Sequence, residues 1–289
     1  TMCGSGPQTS SKLVNRGAYA VDFSSAPATL GFIGLSDSID GMSGLTGFTI
    51  EAWVKRNTAG ALTGGVFSRS SDVDNDGDGT TDWSDGILLS VFPANTPRFS
   101  MVIASTVYSV ISTTALTNGQ WAHIAGVFTN ASHGTGVHSS CGYGTSTTHL
   151  DLYINGVFSN CGSTGDNYPQ AFAYSERIGR PHTSFGGTGI EMAVDTRLDA
   201  VIDEVRFWQV ARTGSQIQQC MGQEMGISGA CALSSDLIGY WTLNIGTGSD
   251  ILSSGASGNT GHSYYCDNDC VNGGNSILWA GGWTAGYPF

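Results

Sequence analysis

The sequence predicts an all-β protein: an antiparallel sandwich of many short strands with one short helix. Composition points there first. The chain has 289 residues with 42 Gly, and only 12% of its residues are charged, against roughly 7% Gly and 25% charged in an ordinary globular domain. Lys occurs twice, at Lys12 and Lys55, which is too few for the solvated faces of helices. The dominant periodicity is two, the repeat of a strand with one buried face. Turn-rich segments separate the periodic runs, and the long helical crossovers that parallel strands require are missing. A net charge of −12 excludes a nucleic-acid partner, whose phosphates need Lys and Arg. At 40% hydrophobic residues the chain is also too apolar for disorder.

The elements follow in order. In Phe48–Lys55, Phe48, Ile50, Ala52 and Val54 share one face, and Thr49, Glu51, Trp53 and Lys55 the other. A strand ending near Arg69 precedes an acidic stretch. Further strand-like runs are 86–92, 98–104, 106–112, 120–129, 150–158, 198–208 and 237–243. Asn155-Gly156 marks a hairpin, because a type I′ turn needs two positive φ angles. Residues 213–221 read as a helix, with Thr213 and Gln216 at capping-box spacing. No run approaches the ~20 apolar residues of a membrane helix.

Several strands carry a family wording. Phe48-Thr49-Ile50-Glu51-Ala52-Trp53-Val54, Trp121-Ala122-His123-Ile124-Ala125 and Leu152-Tyr153-Ile154-Asn155-Gly156 resemble successive strands of the laminin-G-like, concanavalin-A-like jelly-roll superfamily. Ile178-Gly179 and Ile202-Asp203-Glu204-Val205-Arg206-Phe207-Trp208, followed by the helix, resemble its later segments. Gly239-Tyr240-Trp241-Thr242-Leu243 through Ser257-Gly258-Asn259 resembles a segment found beside such domains. The resemblance implies a jelly-roll β-sandwich over 18–261, flanked by an extension over 1–17 and an aromatic, Gly-rich tail over 262–289.

The most specific local signal is acidic. Asp74, Asp76, Asp78, Asp82 and Asp85 stand at positions 1, 3, 5, 9 and 12 of a loop, with Gly79 at position 6 and Thr80 at position 7. Ca²⁺ takes 6–8 oxygens, and a central Gly permits the turn. Asp74, Asp76, Asp78, Asp82 and Asp85 would bind through carboxylates and Thr80 through its carbonyl, with Asp85 where a bidentate Glu is usual, as in dockerin-like and thrombospondin-type loops. Counting from Asp72 instead puts Trp83, which cannot coordinate, at position 12. The insertion over 72–85 is read as a calcium-braced hairpin rather than a sensor.

Seven cysteines are present and none forms a CxxC pair. Cys141/Cys161, Cys220/Cys231 and Cys266/Cys270 are near neighbours and candidate local disulfides, although sequence leaves connectivity open. Cys3 remains over, free or linking chains. With scarce Lys, these pairs point to an oxidising, extracellular setting, and Thr1 is read as the start of a processed form.

Catalytic constellations are weak. No E-x-D-x-E strand, G-x-S-x-G elbow, HExxH or P-loop occurs. Glu191 and Asp195 are four apart, while Asp203 and Glu204 are adjacent and so expected on opposite faces of a strand. His133, His138, Cys141 and His149 lie near one another, as a transition-metal site or, preferably, a flexible polar loop. Asn130-Ala131-Ser132 is a glycosylation sequon. The chain is therefore read as a non-catalytic, calcium-binding, structural or adhesive subunit that self-associates. Its tail would dock on its own domain or on a neighbour's sheet edge. The alternative is carbohydrate recognition, with Trp83 and Trp241 as candidate sugar platforms.

Overall fold

The computed structural model describes residues 19–23, 33–35, 45, 47–57, 64–70, 85–104, 106–130, 147–165, 175–179, 198–226, 229–243, 263–264 and 283–285. Its strands are β1 (Tyr19–Asp22), β2 (Ile33–Leu35), β3 (Gly47–Arg56), β4 (Gly64–Ser70), β5 (Asp85–Phe92), β6 (Thr96–Ile103), β7 (Thr106–Ile111), β8 (Trp121–Thr129), β9 (Thr148–Ile154), β10 (Val157–Gly165), β11 (Ser175–Ile178), β12 (Ala200–Trp208), β13 (Leu237–Trp241), β14 (Ser263–Tyr264) and β15 (Trp283–Ala285). One α-helix, α1 (Gly214–Met221), lies between β12 and β13 among the described residues.

Two antiparallel sheets form a jelly-roll sandwich. The first runs β10-β9-β8-β3-β12-β1-β15, with β13 also pairing β12, and the second runs β14-β2-β11-β4-β5-β6-β7. The alternation in β3 sets the layer. Phe48, Ile50, Ala52 and Val54 are fully buried between the sheets. Phe48 stacks on Phe207 at 5.6 Å and meets Phe99 of the opposite sheet edge-on at 6.2 Å. Such ring pairs add about 0.5–1.5 kcal/mol each beyond area burial. Phe99 also lies where a side chain on Gly126 would go, since a Cβ there would stand 2.5 Å from its ring. Sheet spacing at this point therefore depends on Gly126.

The hairpin and helix signals are realised. Asn155 (φ 52) and Gly156 (φ 71) make the turn between β9 and β10. The backbone at Gly156 lies so near α1 that a Cβ would meet Gln218 Cγ at 2.3 Å. Gln216 N–H donates to Thr213 Oγ1 (3.2 Å) and Thr213 N–H to Gln216 Oε1 (2.8 Å), closing the capping box.

The two lateral sides of the sandwich close differently. On one side, the edge strands β7 and β10 are joined by side chains: Asn160 Nδ2 donates to Ile111 O (2.9 Å), Ser112 and Ser159 hydroxyls pair at 2.8 Å, and Thr113 N–H donates to Ser159 Oγ (3.1 Å). On the other side, strands from the C-terminal stretch complete both sheets, β15 against β1 and β14 against β2. Among the described residues no helix is long and apolar enough to cross a membrane.

Candidate functional site

The acidic stretch is held at its base. β4 and β5 are antiparallel neighbours, with Ser70 opposite Gly86, so residues 71–84 connect the two ends of a hairpin. Asp74, Asp76, Asp78, Thr80, Asp82 and Trp83 lie outside the described residues. The backbone of Asp85 opens β5, paired with Ile103. Directly below, Arg69 Nε and Glu176 Oε1 approach to 3.5 Å with both side chains buried. The loop thus springs from a pair of strands whose ends, Ser70 and Gly86, stand side by side.

A second polar centre lies on the outer face of β3, β8 and β12. By strand alternation Thr49, Glu51 and Trp53 point away from the sandwich core, opposite Trp208, Arg206 and Asp203 of β12. Nevertheless Glu51 is fully buried, because residues 210–226 and 229–236 fold over it. Ile217 of α1 packs on Ala125, Val127 and Tyr153, while Cys220, Met225 and Cys231 pack with Trp208, Leu237 and Tyr240. Glu51 Oε1 accepts from Trp208 Nε1 (2.9 Å) and Arg212 Nη1 (3.1 Å) and lies 3.6 Å from Arg206 Nη1. Arg206 also donates to Cys220 O (2.9 Å), Gln223 O (2.6 Å) and Glu204 Oε2 (2.7 Å), and Tyr240 OH donates to Glu204 Oε2 at 2.7 Å. Trp53 Nε1 ties the sheet to Met221 O at 2.7 Å. The covering segment is therefore fastened to the sheet by apolar packing and by buried charge-assisted bonds, the latter roughly twice as strong as neutral ones.

One expectation about this face is corrected. Asp203 and Glu204 are not on opposite faces: β12 bulges against β3 between Asp203 and Arg206, and Glu204 takes φ 51. The extra residue resets the alternation, so Asp203, Glu204 and Arg206 all lie on the outer face while Val205 returns to the core. A non-glycine residue at positive φ costs about 1–3 kcal/mol, which the bonds to Arg206 and Tyr240 offset. Burial raises both carboxyls above their ordinary range, Asp203 further because Glu204 and Glu224 outweigh Arg206. Both lie beneath the covering segment, where they support packing.

Burial also opposes ionisation of Glu51, but His123, Arg206, Arg212 and the Trp208 N–H overcome it and hold the carboxyl below its usual value. Burial, reinforced by Arg206 and Arg212, pushes His123 from 6.5 down to about 4 despite Glu51 Oε2 at 3.8 Å. His123 is therefore neutral at pH 7, and the guanidiniums do most to keep Glu51 charged. Because the unfolded chain protonates this imidazole first, its stabilising contribution is present above about pH 6.5 and is lost as pH falls to about 4. Asp203 and Glu204 act oppositely, stabilising below the ordinary carboxyl range and losing that contribution as pH rises. His123→Gln is expected to flatten the fall in melting temperature between pH 6.5 and 4. An unchanged slope contradicts the assignment.

Cys220 and Cys231 are joined, with Cα atoms 5.5 Å apart, and staple the covering segment after α1. Replacing both by Ser is expected to cost about 2–4 kcal/mol, measured by denaturant unfolding; an unchanged midpoint would show that the staple does not hold the segment. Cys161 is disulfide-bonded as well, to one of Cys3, Cys141, Cys266 or Cys270, all outside the described residues.

Of the sugar-platform candidates, Trp83 lies outside the described residues and Trp241 is misplaced by the sequence reading. Trp241 is 3% exposed and packs 6.2 Å from Phe67, because β13 pairs β12 and turns this ring into the sandwich core. His149 is buried within β9, its Nδ1 2.6 Å from Thr147 O and its Nε2 3.6 Å from Asp151 Oδ2. His133, His138, Glu191 and Asp195 lie outside the described residues. Asn130 of the sequon is 1% exposed and donates to Leu45 O at 3.3 Å, so a glycan there is incompatible with this fold. Sequence reasoning missed Trp121, half-buried with Lys55 Nζ 5.2 Å from its ring centre, and Phe92 beneath the Arg98 guanidinium at 4.5 Å. The outward positions of Trp121 and Lys55 were the available signal.

Among solved structures, a candidate carbohydrate binding protein from Bacteroides ovatus superposes with TM-score 0.52 and 17% identity, over 92% of this chain and 60% of that one. A heptameric SAP-like pentraxin from Limulus polyphemus gives 0.45 and 16%, over 71% and 81%. Domains LG4-5 of the mouse laminin alpha1 chain give 0.45 and 11%, over 66% and 41%. The chain thus spans well under two thirds of the laminin fragment and 60% of the Bacteroides protein. No curated protein matches it at the sequence level. Residues 34–218 match the Laminin_G_3 family, and with two antiparallel sheets in jelly-roll order the chain belongs to that family, within the concanavalin A-like lectin/glucanases superfamily.

Proposed function

We propose that this chain is a non-catalytic extracellular subunit, structural or adhesive, that self-associates and is braced by Ca²⁺ in the loop from Asp74 to Asp85. The observation that carries the reading is the C-terminal stretch, which supplies the outermost strand of both sheets on the lateral side opposite the β7–β10 seam. An element that completes two sheet edges at once is suited to joining subunits by strand pairing. The non-catalytic part is supported by Asp203 and Glu204, whose raised affinity for protons is explained by burial beneath the covering segment rather than by aim at a substrate. The Cys220–Cys231 disulfide and the family support an oxidising location. Calcium is supported by the ligand spacing and by a hairpin base that brings the loop ends together. Sedimentation velocity of the full chain in calcium is expected to show larger species growing with protein concentration; a monomer at every concentration contradicts the reading.

Carbohydrate recognition is the second reading, favoured by membership in a lectin-like superfamily and by the likeness to the Bacteroides ovatus protein named for carbohydrate binding. Trp83 would supply the stacking face. Glycan-array binding lost on Trp83→Ala is the expected result; binding unchanged by that substitution removes Trp83 as the platform.

A further inference from the structure

We propose that the paired edge formed by β1 and β2 is an acceptor for the C-terminal strands of a second copy of this chain, so that subunits link by exchanging β14 and β15. The inference rests on the self-association reading and names its surface. Four observations carry it. The other lateral side is unavailable, because β7 and β10 are bonded to each other through Asn160, Ser159, Ser112 and Thr113. The strands on the acceptor side are short, β14 two residues and β15 three, whereas β3 and β8 run for ten and nine. With each ladder hydrogen bond contributing about 0.5–1.5 kcal/mol net, the two terminal strands are among the most weakly held of the described elements. β1 and β2 would otherwise present open backbone next to buried Ala20, Val21 and Ile33, an edge that invites a strand from elsewhere. Finally, one continuous stretch of chain fills both edges, so its removal vacates both together.

In the exchanged form the register is unchanged: Tyr19 opposite Ala285, Ala20 opposite Thr284, Val21 opposite Trp283, and Ser263 opposite Leu35, with each strand donated by a neighbour. Contacts are then the same within or between copies, so tether and concentration decide the balance. Dilute chains close on themselves and concentrated chains link. Because each subunit donates one pair of strands and accepts another, exchange between two copies closes a dimer, and head-to-tail exchange along a series of copies gives rings or open chains. The net charge of −12 opposes this at low ionic strength, so salt favours exchange.

The test mixes two full-length single variants, Ala20→Cys and Thr284→Cys. Opposed residues of an antiparallel pair have Cα atoms about 4.5–5.5 Å apart, within disulfide range, and in this mixture a 20–284 link arises only between copies. The two are co-folded, concentrated and oxidised, and linked peptides are identified by mass spectrometry. Tyr19→Cys mixed with Ala285→Cys serves as an independent pair should Cys at buried Ala20 impair folding. In parallel, the double variant Ala20→Cys/Thr284→Cys is folded at high dilution so that the link locks the strands within one chain. The expected result is an inter-copy link in the assembled fraction and assembly at least tenfold reduced in the locked variant. Assembly of the unmodified chain without the inter-copy link, or undiminished in the locked variant, overturns strand exchange while self-association stands. An unmodified chain that remains monomeric throughout overturns both.

Discussion

Glu51→Ala is expected to lower folding stability by about 3–5 kcal/mol, the cost of leaving a buried ion-pair network with one partner removed. The carboxylate is the common acceptor for Trp208 Nε1 and Arg212 Nη1 and the counter-charge beside Arg206 Nη1, while Glu204 pairs with Arg206 Nη2. Without it Arg212, stacked 4.0 Å over Trp208, retains Gln216 O at 2.8 Å as a partner but no buried anion in this network. Glu51→Gln, which keeps an acceptor for Trp208 and loses the charge, is expected to cost less. Urea unfolding of the two variants beside the parent checks both size and order. A loss below about 1 kcal/mol for Glu51→Ala would mean that the Glu51 ion pairs do not hold the covering segment, which the bonds of Arg206 and Trp53 and apolar packing would then fasten.

With Ca²⁺ in the loop as proposed, calcium removal is the second large effect. At calcium a hundredfold above its dissociation constant, binding to the folded state alone contributes about 2.7 kcal/mol. Chelation is therefore expected to lower the melting temperature by about 5–10 °C, at about 2–4 °C per kcal/mol for a chain of this class. Asp76→Ala should abolish the response to chelator, since it removes a carboxylate at loop position 3. Asp72→Ala should retain the response, because the Asp74 register leaves Asp72 outside the ligand set. A melting temperature insensitive to chelator removes calcium binding, and loss of the response in Asp72→Ala selects the other register, in which Asp76 is still a ligand at position 5.

What was legible in the sequence is what local chemistry specifies. The alternation from Phe48 to Lys55 assigned the core face of β3 correctly, since side chains of period two must divide between two faces. Asn155-Gly156 and the Thr213/Gln216 pair act through their own backbone and were equally readable. The short strands were not. β1, β2, β14 and β15 run for two to four residues, too few for a period, and exist because distant partners supply their ladders. The bulge at Glu204 was also hidden, because one inserted residue changes the faces of its neighbours without changing composition. The outer polar centre was half visible: Glu51 and Trp53 were assigned to the outward face, but their burial depends on residues 210–226 and 229–236 returning over the sheet. Trp241 was misread for the same reason, since only its pairing partner in β12 shows that the ring turns inward.

As proposed, this lectin-like sandwich is a building subunit rather than an isolated module. Negative-stain electron microscopy of the full chain, at moderate ionic strength with calcium and again after chelation, tests it most directly. Elongated assemblies of repeating subunits are expected in calcium, and fewer or shorter ones without it. A field of monodisperse single particles in both conditions, at concentrations well above those used for folding, would contradict it.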